Sequence, residues 1–358
     1  MSKGLHQFVP VLSSRDAIGQ HLIRIRDRLR ARGVRSEVWA GEVNPDMVAE
    51  GRPISEFPTA DTGDVLLYHC STGSTVADWV GARPETLVLD YHNITPYEMY
   101  APWEPPIAIE LMEGRNQLAR LASRTTLGLA DSAFNELELV GLGYGVTGVA
   151  PVLVDVAGLG GVVDEGAVER FEGWAGGGSV WLFVGRVSPN KAQHDVIKAF
   201  AVYRRVFDPG ARLVLVGGVS SHRYWAALVG LVGSLGLDDA VWLVGSVSDG
   251  ELGAWYRVAD VFVCLSDHEG FCVPLIEAMA HGLPVVAFGS SAVPETLGGA
   301  GLVLGEKSSV VVAAGVDRVL SDEGLRSALV GAGRERLGAF DLEVSGAAFL
   351  DALAPVLE

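Results

Sequence analysis

Residues 260–288 read DVFVCLSDHEGFCVPLIEAMAHGLPVVAF. The first seven residues form a short β-branched run, and VVAF closes the segment with another. Between them, Pro274 suits the start of a helix, and Gly282 with Pro284 ends it. The segment is therefore a strand, a polar loop, a helix and a second strand. The first N–H groups of such a helix lack partners inside it, so the backbone near Phe271, Cys272 and Val273 forms a ready anion site. Two carboxylates flank this helix start, Glu269 in the loop and Glu277 in the early turns. The plainer account of this pair is a solvated Glu269 and a Glu277 that complements the helix dipole. The sharper account gives both acids hydroxyls to grip, with an anion held between them.

The same unit recurs along the chain. LHQFVP, SEVWA, DVLLYH, TLVLDYH, TLGLADS and VTGVAPV are strand-like runs in the first half. VWLFVG, RLVLVGG, VWLVGS, DVFVCLS, PVVAF and GLVL follow in the second. Helical patterns separate them, and near-continuous apolar runs fit strands buried on both faces of a parallel sheet. The length of 358 residues suits about two domains. The expected fold class is thus α/β, with two Rossmann-like domains facing each other across a cleft. The expected boundaries are 1–157, 158–340 and a terminal helix, 341–358, that packs back on either domain. The glycine cluster in DEGAVERFEGWAGGGSV, near Gly176–Gly178, reads as an interdomain link and a candidate hinge.

Ligands in open parallel sheets sit beyond the carboxyl ends of the strands. After VWLFVG comes RVSPNKAQHDVIKAF, where Ser188 is a candidate cap and Pro189 a candidate first helical residue. That places the cations Arg186 and Lys191 beside a positive helix end, an unfavourable position unless an anion arrives. A diphosphate would use Arg186 as a fork and Lys191 as a point charge. The stretch lacks the glycine-rich run and GK[ST] of nucleotide hydrolases. In the first half, His92 follows the strand TLVLDY and precedes a turn with Pro96, so it is expected to project into the cleft. Gly19, in the first strand–helix loop, is expected to let backbone approach a phosphate or a sugar.

Composition narrows the function further. A net charge of −17 argues against general nucleic-acid binding. One helix runs against this balance: arginines 24, 26, 28, 30 and 32 accompany a buried stripe of Ile18, Leu22, Ile25 and Leu29. It is either a solvated face or a docking face for an anionic acceptor or membrane headgroups. Cys70, Cys264 and Cys272 are too few and too scattered to suggest disulfides or zinc, and no metal-ligand cluster is evident. No apolar run approaches the length of a membrane span, and MSKGLHQFVPVLSSRD lacks the pattern of a signal peptide. The expectation is a cytoplasmic protein, with peripheral contact at the inner face of a membrane through the arginine helix.

The residues in this order resemble a known family. Glu269 and Glu277 form an E-x7-E pair in HEGFCVPLIEAMAHGLPVVA, accompanied by VGRVSPNK and VPETLGGAGLVL. These are similar to the C-terminal domain of retaining glycosyltransferases of the GT-B fold, glycosyltransferase family four. YHNITP and LADSAFNELELVGLGY extend the resemblance to the N-terminal acceptor domain. Two departures stand out: Cys272 replaces the usual glycine after EGF, and the double glycine of the first loop is reduced to AIG.

The resemblance implies a metal-independent hexosyltransferase with no cofactor, whose donor is a nucleotide-diphosphate sugar. Its acceptor would be a small molecule, a glycan or a lipid-linked species. Arg186, Lys191 and the amides of Phe271, Cys272 and Val273 would hold the diphosphate. Glu277 would bind the ribose, backbone near Val247 the base, and Glu269 the transferred sugar. His92 would lie under the anomeric carbon, hydrogen-bonding the sugar or steadying positive charge. A glycoside hydrolase fits less well, because both acids share one unit with a cationic loop nearby. A dehydrogenase would need G-x-G-x-x-G after the first strand, and GLGYG at 141–145 follows a helix instead. A GT-B phosphorylase, a nucleotide-sugar epimerase and a noncatalytic nucleotide-binding module remain as alternatives.

Overall fold

The computed structural model describes residues 3–14, 17–59 and 63–357. Arg15 and Asp16, in the loop that precedes Gly19, lie outside the described residues. The chain divides into two compact units. The first comprises Met1–Ala101, Pro105–Val154 and Ala339–Glu358; the second comprises Pro102–Glu104 and Asp155–Gly338.

The N-terminal unit holds seven parallel strands: β1 (Leu5–Leu12), β2 (Val38–Val43), β3 (Arg52–Pro53), β4 (Val65–Cys70), β5 (Thr86–Tyr91), β6 (Thr125–Ala130) and β7 (Thr147–Val149). Their order is β3-β2-β1-β4-β5-β6-β7. Only β3 was not legible, because two residues carry no periodicity. All six residues of β4 are buried, as an apolar run covered on both faces requires. The helix Leu342–Leu357 belongs to this unit and supplies Phe349, Leu350, Leu353 and Val356 to the core formed with Leu5, Ile25 and Leu29.

The C-terminal unit holds six more: β8 (Val180–Val184), β9 (Arg212–Val216), β10 (Val241–Gly245), β11 (Val261–Cys264), β12 (Val285–Phe288) and β13 (Leu302–Leu304). Their order is β10-β9-β8-β11-β12-β13, again with parallel pairing throughout. Each sheet therefore reverses its winding once, between β1 and β4 and between β8 and β11. The crevice above such a reversal is open because the flanking connections leave in opposite directions.

Two expectations about local structure are corrected. The segment read as a link is the helix Glu165–Ala175, capped by Asp164, with Ala167, Val168, Phe171 and Ala175 buried in the C-terminal unit. Gly178, expected in a hinge, has the carbonyl of Gly210 so close that an added Cβ would lie 2.0 Å from its oxygen, so it serves packing. The units divide at Val154 and Asp155 and again at Gly338 and Ala339, with Pro102–Glu104 also in the second unit.

The arginine helix, Ala17–Ala31, does bury Leu22, Ile25 and Leu29. Its cations, however, are engaged within the unit. Arg24 donates to the Leu153 carbonyl at 3.2 Å, and Arg26 meets Glu50 at 2.7 Å. Arg28 reaches the Leu342 carbonyl at 2.6 Å and Glu343 at 2.8 Å, while Arg30 meets Glu37 at 2.9 Å. Four of the five guanidinium groups thus have oxygen partners within the unit, and Arg30 and Arg32 are exposed. Among the described residues no helix is long and apolar enough to cross a membrane.

Candidate functional site

The loop after β8 differs from its expected form. Ser188 and Pro189 start only a single 3-10 turn, Pro189–Lys191, and Ser188 makes no capping hydrogen bond. Its hydroxyl donates instead to Asn190 Oδ1 at 2.8 Å. The α-helix proper begins at Gln193, after Ala192 turns the chain with φ +49°. Lys191 therefore sits on a loop, with freedom to reach sideways across the switch point.

It reaches the loop after β11. Lys191 Nζ donates to both oxygens of Glu269, at 2.7 and 2.6 Å. The side chains are only 17% and 6% exposed, so this is a buried pair. Burial alone would drive the ammonium pKa down, but the Glu269 carboxylate outweighs it and holds the group above its ordinary value. The expectation that Glu269 stands free for sugar hydroxyls is corrected: in this state its oxygens hold Lys191. Arg186 is exposed, and its guanidinium has no hydrogen-bond or ion-pair partner among the described residues.

The helix following this loop is Val273–Ala280, and no side chain caps its start. Cys272 precedes it with φ +72°, a left-handed conformation that glycine adopts without strain and other residues adopt at a cost. The Phe271 carbonyl is tied down by the hydroxyl of Thr296. Glu277 lies within the helix and takes a different partner from Glu269. It accepts a hydrogen bond from the Tyr256 hydroxyl at 2.7 Å. Burial raises the Glu277 carboxyl above its usual range, and burial together with the charge of Glu277 keeps the Tyr256 phenol well above its own. Val247 follows β10 half-buried and packs against the core that contains Tyr256.

The cysteines are closer than their spacing suggested. Reactive atoms of Cys264, Glu269 and Cys272 lie within 4.8 Å of one another. All three cysteines are free and buried. Hydrogen bonding with Cys264 and burial push the Cys272 thiol up, so it keeps its proton, while Glu269 already holds a cation in Lys191.

The N-terminal unit carries a second constellation, at its own switch point. The side chain of His92, expected to project into the cleft, is 2% exposed. Its Nε2 lies 3.0 Å from His69 Nδ1 and 3.3 Å from Asp90 Oδ2. His21 Nε2 meets the same Asp90 oxygen at 3.0 Å. The four residues place ligand-type atoms within 4.8 Å of one another, which scattered positions in the sequence gave no reason to expect. At Gly19 an added Cβ would lie 1.9 Å from the Ser13 carbonyl oxygen, so the backbone packed against its Cβ side is the chain's own.

Residues 164–336, just under half of the chain, match the family model described as glycosyl transferases group 1. A D-inositol 3-phosphate glycosyltransferase of Actinosynnema mirum is 35% identical over 176 residues, covering 47% of this chain and 42% of that protein. A GDP-mannose-dependent alpha-(1-6)-phosphatidylinositol monomannoside mannosyltransferase of Mycobacterium tuberculosis is 37% identical over 159 residues, 42% of this chain and 40% of that one. The matched stretch is thus about 40% of the length of these curated relatives.

Solved structures extend the likeness to the whole chain. Anabaena HepE, in complex with UDP and glucose, has a TM-score of 0.78 at 18% identity, covering 98% of this chain and all of that one. The sucrose-phosphate synthase of Thermosynechococcus elongatus has a TM-score of 0.76 at 18% identity, covering 99% of both chains. In sequence the C-terminal unit carries the group 1 glycosyl transferase pattern, and the chain as a whole has the GT-B fold.

Proposed function

We propose that this protein is a glycosyltransferase that moves a sugar from a nucleotide-diphosphate-sugar donor to a hydroxyl acceptor, with retention of anomeric configuration. The observation that carries the reading is the Lys191–Glu269 pair at the switch point of the C-terminal sheet, beside an uncapped helix start. A buried cation already committed to an acid is an economical way to store positive potential for a second anion. The lysine ammonium has three donors, and Glu269 takes two of them.

When the diphosphate arrives, Lys191 directs its third donor to a phosphate oxygen. Exposed Arg186 adds a bidentate contact, and the first amides of Val273–Ala280 add more. Glu269, its charge now shared, turns oxygens toward hydroxyls of the sugar. Glu277 keeps one oxygen on Tyr256 and offers the other to the ribose. Backbone near Val247 is assigned to the base.

In the reaction the bond from C1 of the sugar to the phosphate oxygen breaks, leaving a diphosphate anion and an oxocarbenium-like sugar. The acceptor oxygen attacks C1 from the same face, and its proton passes to the departing phosphate. The residues contribute mainly preplaced charge, each well-aimed donor being worth on the order of 100-fold in rate. The relatives' names support sugar transfer, and the UDP held by HepE supports a nucleotide donor. A lipid-linked acceptor is a reading supported by the name of the mycobacterial relative.

Thermal shifts against a panel of nucleoside diphosphates and their sugars test this reading. One of them should raise the melting temperature, and Lys191→Ala or Glu277→Ala should abolish the rise. A wild-type protein indifferent to the whole panel would refute the donor assignment. Donor turnover that needs no acceptor would point to a phosphorylase or an epimerase instead.

A further inference from the structure

The buried cluster in the N-terminal unit lies at the carboxyl edge of its sheet. His69 comes from β4, Asp90 from β5 and His92 from the residue just after β5. His21, on the helix after β1, joins them, and Asp131 follows β6. The side chains of His21, His69 and Asp90 are 0% exposed, and those of His92 and Asp131 are 2% and 4% exposed. Each polar atom here therefore needs a partner that bulk water does not supply.

Three atoms face one another at the centre. His69 Nδ1 lies 3.0 Å from His92 Nε2 and 3.2 Å from Asp90 Oδ2, and His92 Nε2 lies 3.3 Å from the same oxygen. Protons satisfy this triangle poorly. The two ring nitrogens have room for one hydrogen between them, and the carboxylate has to share it from 3.2 and 3.3 Å. Charge-assisted hydrogen bonds to a carboxylate run about 2.7–2.9 Å. The other oxygen, Asp90 Oδ1, is buried with no hydrogen-bond partner among the described residues. A carboxylate oxygen left bare in the interior is costly. By contrast, ligand atoms about 2.0–2.1 Å from a tetrahedral zinc ion stand roughly 3.3–3.4 Å apart.

The outer atoms already have the arrangement that an ion requires. Gln7 Nε2 donates to the Leu22 carbonyl at 2.9 Å, so Gln7 Oε1 is an acceptor, 3.0 Å from His69 Nε2. A neutral His69 thus carries its proton outward and turns a lone pair inward at Nδ1. His92 bound through Nε2 would carry its proton on Nδ1, which faces Asp131 Oδ2 at 3.8 Å. Asn135 holds the other oxygen of Asp131. Histidine ligands of metal ions commonly give their second N–H to an oxygen acceptor in this way. His21 is a different case. The Leu153 amide donates to its Nδ1 at 3.0 Å, so its proton is on Nε2, 3.0 Å from Asp90 Oδ2. It steadies the carboxylate and is not itself a ligand.

We propose that His69 Nδ1, His92 Nε2 and the Asp90 carboxylate bind one zinc ion. Asp90 Oδ1 completes the set as a fourth donor atom. Both rings are neutral in this state, and the proton otherwise trapped between them leaves as the ion enters. The ion ties β4 to β5 and to the residue after β5, so its role is structural. The site stands apart from the glycosyltransferase reading, which needs no metal. The cysteine group of the C-terminal unit is the rival for zinc, but its Glu269 already holds Lys191.

Tag-free wild-type protein, stripped with chelator, reloaded with zinc chloride and desalted, tests the site. About one zinc per chain should be retained, and loading should raise the melting temperature by more than about 4 °C. X-ray absorption at the zinc edge should show nitrogen and oxygen neighbours at about 2.0–2.1 Å and no sulfur near 2.3 Å. Asp90→Asn and His69→Gln should each weaken zinc binding by more than about 100-fold, because changes behind the ligands alone cost about 10–100-fold. Cys272→Gly should leave it unchanged. Failure to retain zinc would overturn the proposal, as would sulfur around the ion or full affinity in a folded Asp90→Asn variant. If neither ligand variant folds, the stoichiometry and the absorption spectrum of the wild type decide.

Discussion

Lys191 Nζ lies 2.7 and 2.6 Å from the two carboxylate oxygens of Glu269, across 78 residues of sequence. The loop after β8 and the loop after β11 meet because these strands are neighbours in the sheet. A cation that looked misplaced beside a helix start has its first anion inside the protein. The substrate phosphate would be its second.

Removing one partner should reveal the pair. Lys191→Ala leaves Glu269 buried without a counterion and should destabilise the C-terminal unit by about 3–5 kcal/mol. Lys191→Ala with Glu269→Ala should lose less than the sum of the single variants, because no isolated charge remains. Urea unfolding measures both, and strict additivity would mean that the pair contributes nothing. The ammonium is held above its ordinary value, so the folded state binds this proton more tightly than the unfolded chain does. Its contribution is full below about pH 10.4 and fades as the pH rises through the raised value.

Glu277 has a dependence of the same sign in a more acidic window. Its carboxyl is raised by burial, so its ionisation erodes stability as the pH rises from about 4.3 through the raised folded value. Ribose hydroxyls need the ionised form as their acceptor. Nucleotide affinity should therefore weaken on acidification at a higher pH than an exposed glutamate would give. Tyr256→Phe removes the hydroxyl that steadies the carboxylate, and should move this midpoint further up. Calorimetric titrations across pH check it; a midpoint indifferent to Tyr256→Phe would dissociate Glu277 from nucleotide binding.

Cys272 offers a backbone test. At φ +72°, a side chain strains the chain and glycine does not. Elsewhere alanine is usually the more stable of the two; here Cys272→Gly should exceed Cys272→Ala by about 1 kcal/mol. Chemical denaturation of the two variants gives the difference directly, and the usual order would show that the turn relaxes on its own.

The terminal helix is testable in the same way. Phe349 is 0% exposed, and its ring packs edge-on against His21 at 5.2 Å between centroids. Phe349→Ala should cost about 3–5 kcal/mol in the N-terminal unit. Leu137→Ala, at a site 71% exposed, should stay within about 0.5 kcal/mol. Equal effects would contradict the placement of Leu342–Leu357 in that core.

Much of this architecture was legible in one dimension. Twelve apolar runs foretold twelve of the thirteen described strands, most plainly where a strand such as β4 is buried on both faces. The helix start after Glu269 was visible from Pro274, Gly282 and Pro284. The errors fell where short-range signals compete. Gly176–Gly178 reads as a flexible link but ends a packed helix, and Ser188 reads as a cap but closes a single turn.

What the sequence by itself determined was the alternation of strand and helix, and hence which loops end at the ligand-binding edge of each sheet. Only the tertiary structure decided the pairings: Lys191 with Glu269, Glu277 with Tyr256, and three histidines around Asp90. Periodicity is a property of neighbours along the chain, whereas a buried charge is settled by whichever group strand order brings within about 3 Å.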